Sequence, residues 1–440
     1  MAFSLNGVKV PHKKNTADMP AVRINTPSSV TIPMVMHIGK PAIPAVKVGD
    51  HVDVGTLIAT QDGPISAPIH SSISGTVKKI DDILLSNGSP SKAITIESDG
   101  EMTVDASVAP PVINSKEDLI EALKASGIVG LGGAGFPTHF KFNVDPEKIE
   151  ELIINGAECE PYITSDNCTM IDRADDMAYA LWLLKKHMGI NKVIIGIEKN
   201  KPNAIASMKA LAEKVEGVSV KELPSMYPQG GEKVIVYHTT GKKIAAGKLP
   251  IDVGCIVCNC TTLAEIGKFA LTGMPLVEKC VTVDGSAVTT PKNVIVPIGT
   301  SIQELVDFCG GFKSEPGKII YGGPMMGITV HDTSAPIIKN TNAIIAFNEK
   351  DSEPKKIQPC IRCGRCVNAC PFSLNPPLIA KALNDKNFDS LYKLGADICM
   401  ECGCCAFVCP ANRPIVQNNK IAKAELKEAL AKKKAKEANK

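Results

Sequence analysis

Between Val30 and Ser98 the apolar residues come in short segments interrupted by glycine and proline: Lys47-Val-Gly-Asp50, Val52-Asp-Val-Gly55-Thr-Leu-Ile-Ala59, Ile65-Ser-Ala-Pro68 and Ser72-Ile-Ser-Gly75-Thr-Val-Lys-Lys-Ile80. Such punctuation predicts short β-strands joined by tight turns. After Asn114 the period changes. Ser115 and Asp118 stand in capping-box spacing, and Leu119, Ile120 and Leu123 form an apolar face that ends at Gly127, the pattern of a capped helix. Strand and helix then alternate: Ile149–Ile154, Met170–His187, Lys192–Ile197, Pro202–Val215 and Val218–Leu223. That order predicts an α/β layer. The β pattern returns over 275–347, with Cys280–Val283, Val294–Pro297, a capped helix from Ser301 and Lys318–Gly327, which suggests a β-grasp module. Met325 and Met326 read there as packing side chains. The first residues, with His12, Lys13, Lys14, Pro20 and Pro27, form an irregular arm without readable chemistry. The last, Ala424–Ala438, is Ala, Glu and Lys with Leu426 and Leu430 as its apolar anchors, by composition either a plain solvated tail or a solvated helix that meets an anionic membrane surface or an acidic partner.

The cysteines change this picture most. Cys360, Cys363, Cys366 and Cys370-Pro371 repeat as Cys399, Cys402, Cys405 and Cys409-Pro410. Each run has the C-x₂-C-x₂-C-x₃-C-P spacing of two-cluster bacterial ferredoxins, in which the fourth Cys serves the other cluster. This assigns Cys360, Cys363, Cys366 and Cys409 to one [4Fe–4S] cluster, and Cys399, Cys402, Cys405 and Cys370 to the second. Zinc sites stop at four ligands, and disulfide frameworks belong to small secreted domains. Cys404 is a spare thiol. Cys255, Cys258 and Cys260 lack a fourth ligand and read as small buried residues.

Three loops carry the remaining chemistry. Gly127–Phe142 contains Gly130-Leu-Gly132-Gly133-Ala-Gly135-Phe136-Pro137. Its G-x-G-x-x-G follows a helix and meets Pro137, which is not the strand-to-helix context of a dinucleotide fingerprint. So many glycines still let backbone N–H groups approach a phosphate or a flavin ring, and Lys141 adds charge. The second loop, Asn155-Gly-Ala-Glu158-Cys-Glu160-Pro-Tyr162, leaves a strand where ligands meet an α/β sheet. Tyr227–Lys233, with Gly230, Gly231 and Glu232, precedes a helix, and Gly254–Ala264 contains Asn259.

Composition excludes more than it selects. The 440 residues are 44% hydrophobic and 22% charged, ordinary for a globular chain of several domains. Lys420–Lys440 holds eight Lys and three Glu, a net +5, so with +3 overall the remainder is about −2. This gives no case for nucleic acid. Apolar runs long enough to span a membrane are absent, and Met1–Asn6 lacks the regions of a secretory signal, so a cytoplasmic chain is expected. Sixteen Cys in such a chain fit a reducing compartment.

The loops Gly-Gly-Ala-Gly-Phe-Pro-Thr, Asn-x-x-Glu-x-Glu-Pro, Gly-Glu and Asn-x-x-Thr-Leu-Ala resemble those of the flavin subunit of respiratory complex I. The domain order, from an N-terminal barrel-sandwich to a C-terminal ferredoxin, is similar to that of the RnfC family of the Rnf ferredoxin:NAD⁺ oxidoreductases. The barrel-sandwich itself resembles lipoyl and biotinyl carriers, although Ala59–Ser74 contains no Lys to carry a prosthetic group. The resemblance implies a multidomain α/β plus β chain: arm 1–29, barrel-sandwich 30–100, Rossmann-like flavin and nucleotide domain 112–270, β-grasp 275–348, helical two-cluster ferredoxin domain 355–418 and basic tail 419–440. It implies that Gly132, Gly133, Lys141, Asn155, Glu158 and Asn259 line FMN, with Phe136, Glu160 and Glu232 near the nicotinamide nucleotide, and with Phe136 and Glu160 in catalytic roles. Leu131 stands where that pattern has Arg, and Cys258 where it has a second Asn.

A nicotinamide gives two electrons as hydride and a cubane carries one, so a flavin must stand between them. The expected function is therefore an NAD(H)-linked flavin and iron–sulfur subunit of a membrane-bound, ion-translocating complex. It would sit peripherally on the cytoplasmic face, with integral membrane and iron–sulfur subunits as partners and ferredoxin reached through them. Two other readings are a self-contained soluble NADH-dependent reductase, like the cobalamin reductases, and an electron-relay scaffold without hydride chemistry.

Overall fold

The computed structural model describes residues 6–438, without the side chains of 434, 437 and 438. The expectation drawn from Met1–Asn6 falls, but for Asn6, outside the described residues.

Alternation of apolar and polar positions folds residues 29–98 into two small sheets. Ser29–Pro33, Pro90–Ser98, Gly75–Leu84 and His51–Val52 make one, and Ile43–Pro44, Leu57–Thr60 and Ile69–His70 the other. Val30, Ile32, Ile58, Val77, Ile94 and Ile96 are buried between them, and this core runs without a break into that of the α/β domain. The carrier-like tip has no Lys of its own, but Lys339 reaches it from the β-grasp module. Its ammonium, 1% exposed, donates to the carbonyls of Pro68 and Gly127, both at 2.7 Å, joining three modules. Burial lowers its pKa to about 7.

The α/β domain is built on four parallel strands in the order Val218–Leu223, Val193–Glu198, Glu151–Gly156, Cys255–Asn259. Val193–Glu198 is buried throughout, as befits a strand covered on both faces. The helix expected over Met170–His187 is two, Ser165–Asp172 and Ala174–Met188, divided at Arg173. Arg173 pairs with Glu265 and Asp176. The carboxyl-terminal ends of Glu151–Gly156 and Cys255–Asn259 lie side by side, with Asn155 opposite Asn259.

A six-stranded mixed sheet forms the β-grasp module, with Glu278–Asp284 between Lys292–Pro297 and Ala343–Asn348 and the helix Ile302–Phe308 against it. Val22–Arg23 of the arm adds a parallel edge strand to Lys292–Pro297.

Short helices carry the cysteine runs, and the chain ends in one long helix, Ile415–Ala438. One expectation needs correction here. The solvated helix does not begin at Ala424, because Ala422 and Leu426 are 0% and 1% exposed and pack with Leu391, Ile379 and Leu374 in the ferredoxin core. Apolar residues at i, i+4 serve that core, with Leu430 against its rim. Leu426→Ala is expected to destabilise this domain by about 2–5 kcal/mol. The effect would be seen as thermal loss of cluster absorbance at lower temperature than in the unmodified chain; an unchanged transition would contradict the packing. The arm is irregular and held against the rest of the chain: Val8 exchanges two backbone hydrogen bonds with Tyr227, and Tyr162 N–H donates to the His12 carbonyl at 2.9 Å.

Candidate functional site

The glycine loop is closed at its base by the Gly130 N–H donating to the Phe136 carbonyl at 2.8 Å, and Val129 bridges to Pro137. Leu131 is 1% exposed and turned into the core, where its N–H donates to the Thr262 hydroxyl and its carbonyl accepts from Lys279. Gly132 and Gly133 are left at the surface. A Cβ on Gly132 would lie 2.5 Å from Asn259 Nδ2, whereas one on Gly133 would meet nothing within 4 Å. Glycine at 132 is thus dictated by a close approach.

Asn259 caps the helix Cys260–Thr272, its Oδ1 accepting from Thr262 N–H at 3.1 Å, while Nδ2 donates to Asp166 at 2.9 Å. Beside it Asn155 Nδ2 donates to the Gly230 carbonyl at 2.9 Å. Lys141 completes the edge: its ammonium donates to the Val257 carbonyl at 2.9 Å and pairs with Glu232 at 3.2 Å. Gly132, Asn155, Lys141, Glu232 and Asn259 are therefore brought together, with one cation, amide donors and open backbone, a donor set that suits a phosphate-bearing flavin.

Glu158 and Glu160 are held differently. Glu158, at φ +43°, turns its carboxylate onto the amino end of Ser165–Asp172, accepting from Asp166 N–H at 2.6 Å and Asn167 N–H at 3.3 Å. Glu160 accepts from Met325 and Met326 N–H at 3.0 and 2.8 Å. Burial pushes both carboxyls up to about 7, against Lys14 in each case. Phe136 is half-buried, edge-on to Phe140 with ring centres 5.8 Å apart. The Met325–Met326 loop, which reads in the sequence as packing, therefore supplies backbone donors to Glu160. Asp166, which joins Asn259 to the helix that accepts Glu158, is absent from the residues singled out in the sequence, because the helix expected from Met170 begins at Ser165.

The eight cysteines divide into two cavities. Cys360, Cys363, Cys366 and Cys409 line one; Cys370, Cys399, Cys402 and Cys405 line the other. Each set draws its fourth thiol from the opposite run, the arrangement a cubane needs. Leu374 N–H approaches Cys370 Sγ at 3.4 Å and Asn419 Nδ2 approaches Cys399 Sγ at 3.7 Å, donors of the kind that support thiolates. Burial raises the Cys399 and Cys405 thiols, the latter to about 12, so the charge of bound iron is what would hold them deprotonated. Cys360 and Cys363 are exposed, whereas Cys399, Cys402 and Cys405 are buried. Three arginines, Arg362, Arg365 and Arg413, line the outer cavity and no carboxylate does. Cys255, Cys258 and Cys260 are buried.

The inner cavity abuts the flavin loops. Tyr227, 1% exposed, donates its hydroxyl to the Cys402 carbonyl at 2.7 Å, and its own carbonyl accepts from Cys404 Sγ at 3.9 Å. Cys404, left as a spare thiol by the spacing, is buried in this junction with Val8, Val10 and Met325.

Comparison with known proteins follows the same divisions. Residues 3–101 match the RnfC barrel sandwich hybrid domain, 123–268 the Nuo51 FMN-binding domain, 280–329 the SLBB domain and 359–413 the 4Fe-4S dicluster domain. The C subunit of the Na⁺-translocating ferredoxin:NAD⁺ oxidoreductase complex of Acetobacterium woodii is 38% identical over 96% of this chain and 96% of its own. The chain belongs to the RnfC family of ion-translocating ferredoxin:NAD⁺ oxidoreductases. The C subunit of the proton-translocating complex of Clostridium ljungdahlii is 41% identical over 84% of this chain and 81% of its own. That of the ion-translocating complex of Rhodobacter capsulatus is 37% identical over 98% and 85%. An NAD⁺-reducing [NiFe]-hydrogenase shares the fold at a TM-score of 0.50, with 16% identity over 71% of this chain and 61% of that one. As an RnfC protein the chain is an NAD-dependent oxidoreductase whose cofactors are FMN and two [4Fe–4S] clusters, linking NADH to single-electron transfer. Among the described residues no helix is long and apolar enough to cross a membrane.

Proposed function

We propose that this protein exchanges hydride with NAD(H) at the carboxyl-terminal edge of the parallel sheet, passes electrons first through the cluster of Cys370, Cys399, Cys402 and Cys405, and then through that of Cys360, Cys363, Cys366 and Cys409. FMN, when bound, supplies the conversion between hydride and single electrons. Gly132 and Gly133 give it backbone to lie against, Asn155 and Asn259 orient it, Lys141 offsets its phosphate charge, and Glu158 steadies the loop beneath. Phe136, Glu160 and Glu232 border the nicotinamide. The observation that carries the order is the Tyr227 hydrogen bond to the Cys402 carbonyl at 2.7 Å, three residues from Gly230, which bonds Asn155.

The exposed outer cluster is the exit. Its three arginines suit an acidic one-electron partner, which in this reading is an iron–sulfur subunit of an ion-translocating complex on the cytoplasmic face of a membrane, with ferredoxin reached through it. The direct test is anaerobic reconstitution with iron, sulfide and FMN, followed by NADH. Flavin bleaching together with cluster reduction is expected; flavin that stays oxidised would overturn the proposal.

A further inference from the structure

The loop from Ala157 to Ile163 carries Glu158 and Glu160, and among the described residues its backbone meets another backbone group only where Tyr162 N–H donates to the His12 carbonyl. It turns through left-handed conformations at Glu158 (φ +43°) and Tyr162 (φ +71°), neither of them glycine, and such geometry persists only where its surroundings impose it. Carbonyls that a strand or helix would pair are instead gathered inward and taken by two ammonium groups. Lys201, 5% exposed, donates to the Ala157 carbonyl at 2.6 Å and to that of Glu158 at 3.3 Å. The second ammonium comes from the arm, 144 residues earlier in the chain: Lys14 donates to the carbonyls of Glu158 and Glu160, both at 2.9 Å, and to that of Ile163. An ammonium has three protons, and all three are used on this one loop.

The arm is built to deliver it. The His12 carbonyl accepts from Tyr162 N–H, and Thr16 meets the Thr164 hydroxyl at 2.5 Å. Asn293 Nδ2 donates to the Thr16 carbonyl at 3.0 Å, and Asn167 Nδ2 to that of Ala17 at 2.9 Å. The neighbouring Lys13 is exposed to solvent. We infer that Lys14 is a positioning residue of the hydride site: its ammonium replaces the missing backbone hydrogen bonds of the Glu158–Ile163 loop and so fixes Glu158 and Glu160 where FMN and NAD(H) need them. The link to FMN and NAD(H) rests on the function proposed above; the fixing of the loop does not.

The experiment compares Lys14→Met, Lys14→Arg and the surface control Lys13→Met in the full chain. Backbone amide exchange is followed first, in protein without FMN. Lys14→Met should speed exchange over 157–163 by about tenfold or more, since three charge-assisted bonds are lost, while the strands Gly75–Leu84 and Val193–Glu198 keep their protection. FMN binding, followed by fluorescence, should weaken by about tenfold. Lys14→Arg should regain part of both, and Lys13→Met should match the unmodified chain. Unchanged exchange over 157–163 in Lys14→Met would overturn the inference. So would exchange that quickens equally in every strand, because Lys14 would then be holding the whole fold and not the loop. Failure of the unmodified, FMN-loaded chain to oxidise NADH overturns the proposed function instead, and leaves the exchange result to judge Lys14 by itself.

Discussion

Replacing Gly132 by valine is expected to abolish FMN binding, and with it NADH oxidation, while both clusters remain assembled. The Cβ alone would lie 2.5 Å from Nδ2 and 2.8 Å from Cγ of Asn259. Asn259 has nowhere to retreat at low cost, because its Oδ1 caps Cys260–Thr272 and its Nδ2 holds Asp166. Giving up the cap alone costs about 1 kcal/mol, and overpacking of this kind typically costs about 1–3 kcal/mol. The β-branched side chain also occupies the surface a flavin would lie against. Gly133→Ala is the control, since its Cβ meets nothing within 4 Å and it tests the ligand's space without disturbing the protein. Flavin fluorescence and cluster EPR on the same samples decide the matter; Gly132→Val protein that retains FMN would contradict the placement.

Crossed ligation makes a second large effect. Cys409 ends the second cysteine run in sequence but lines the cavity of the first, and Cys370 ends the first but lines that of the second. Cys409→Ser should therefore perturb the cluster of Cys360, Cys363 and Cys366, giving the EPR signature of Cys363→Ser. Cys370→Ser should resemble Cys402→Ser. The functional consequences differ as well. Loss of the outer cluster leaves the inner one in contact with the Tyr227 segment, so NADH should still reduce it, whereas loss of the inner cluster should isolate the outer one. If Cys409→Ser matched Cys402→Ser, the crossing would be wrong.

Local patterns make much of this legible. Val218–Leu223 is a strand over the span its apolar alternation indicates, and the Ser115–Asp118 capping box forms as its spacing requires. The cysteine spacing anticipates both cavities, because ligand geometry around a cubane is set by steps of a few residues. What sequence does not reveal depends on contacts between distant segments. Lys14 meets Glu158 across 144 residues and Tyr227 meets Cys402 across 175, and nothing local to either residue marks the partner. Leu426 reads as solvated because its surroundings are Lys, Glu and Ala, yet one apolar face suffices to seat a helix in a small core. Arg173 divides a run whose periodicity predicts one helix, its backbone leaving the helical region at φ −126° and ψ 31°, and nothing in the local pattern marks that turn. Leu131, in the place of an Arg in the complex I flavin subunit's loop, faces the core, and its carbonyl accepts from the Lys279 ammonium, whereas Lys141 donates to the Val257 carbonyl at the edge of the sheet.

Electrons are proposed to pass in one order: FMN, then the buried cluster beside Tyr227, then the exposed cluster beside the three arginines. Freeze-quench EPR after mixing NADH with the fully loaded chain tests it most directly, using Cys363→Ser to remove the outer cluster and Cys402→Ser to remove the inner one. The Cys363→Ser protein is expected to reduce its inner cluster at the unmodified rate, and the outer cluster of Cys402→Ser is expected to stay oxidised on that time scale. Rapid reduction of the outer cluster in Cys402→Ser would contradict it.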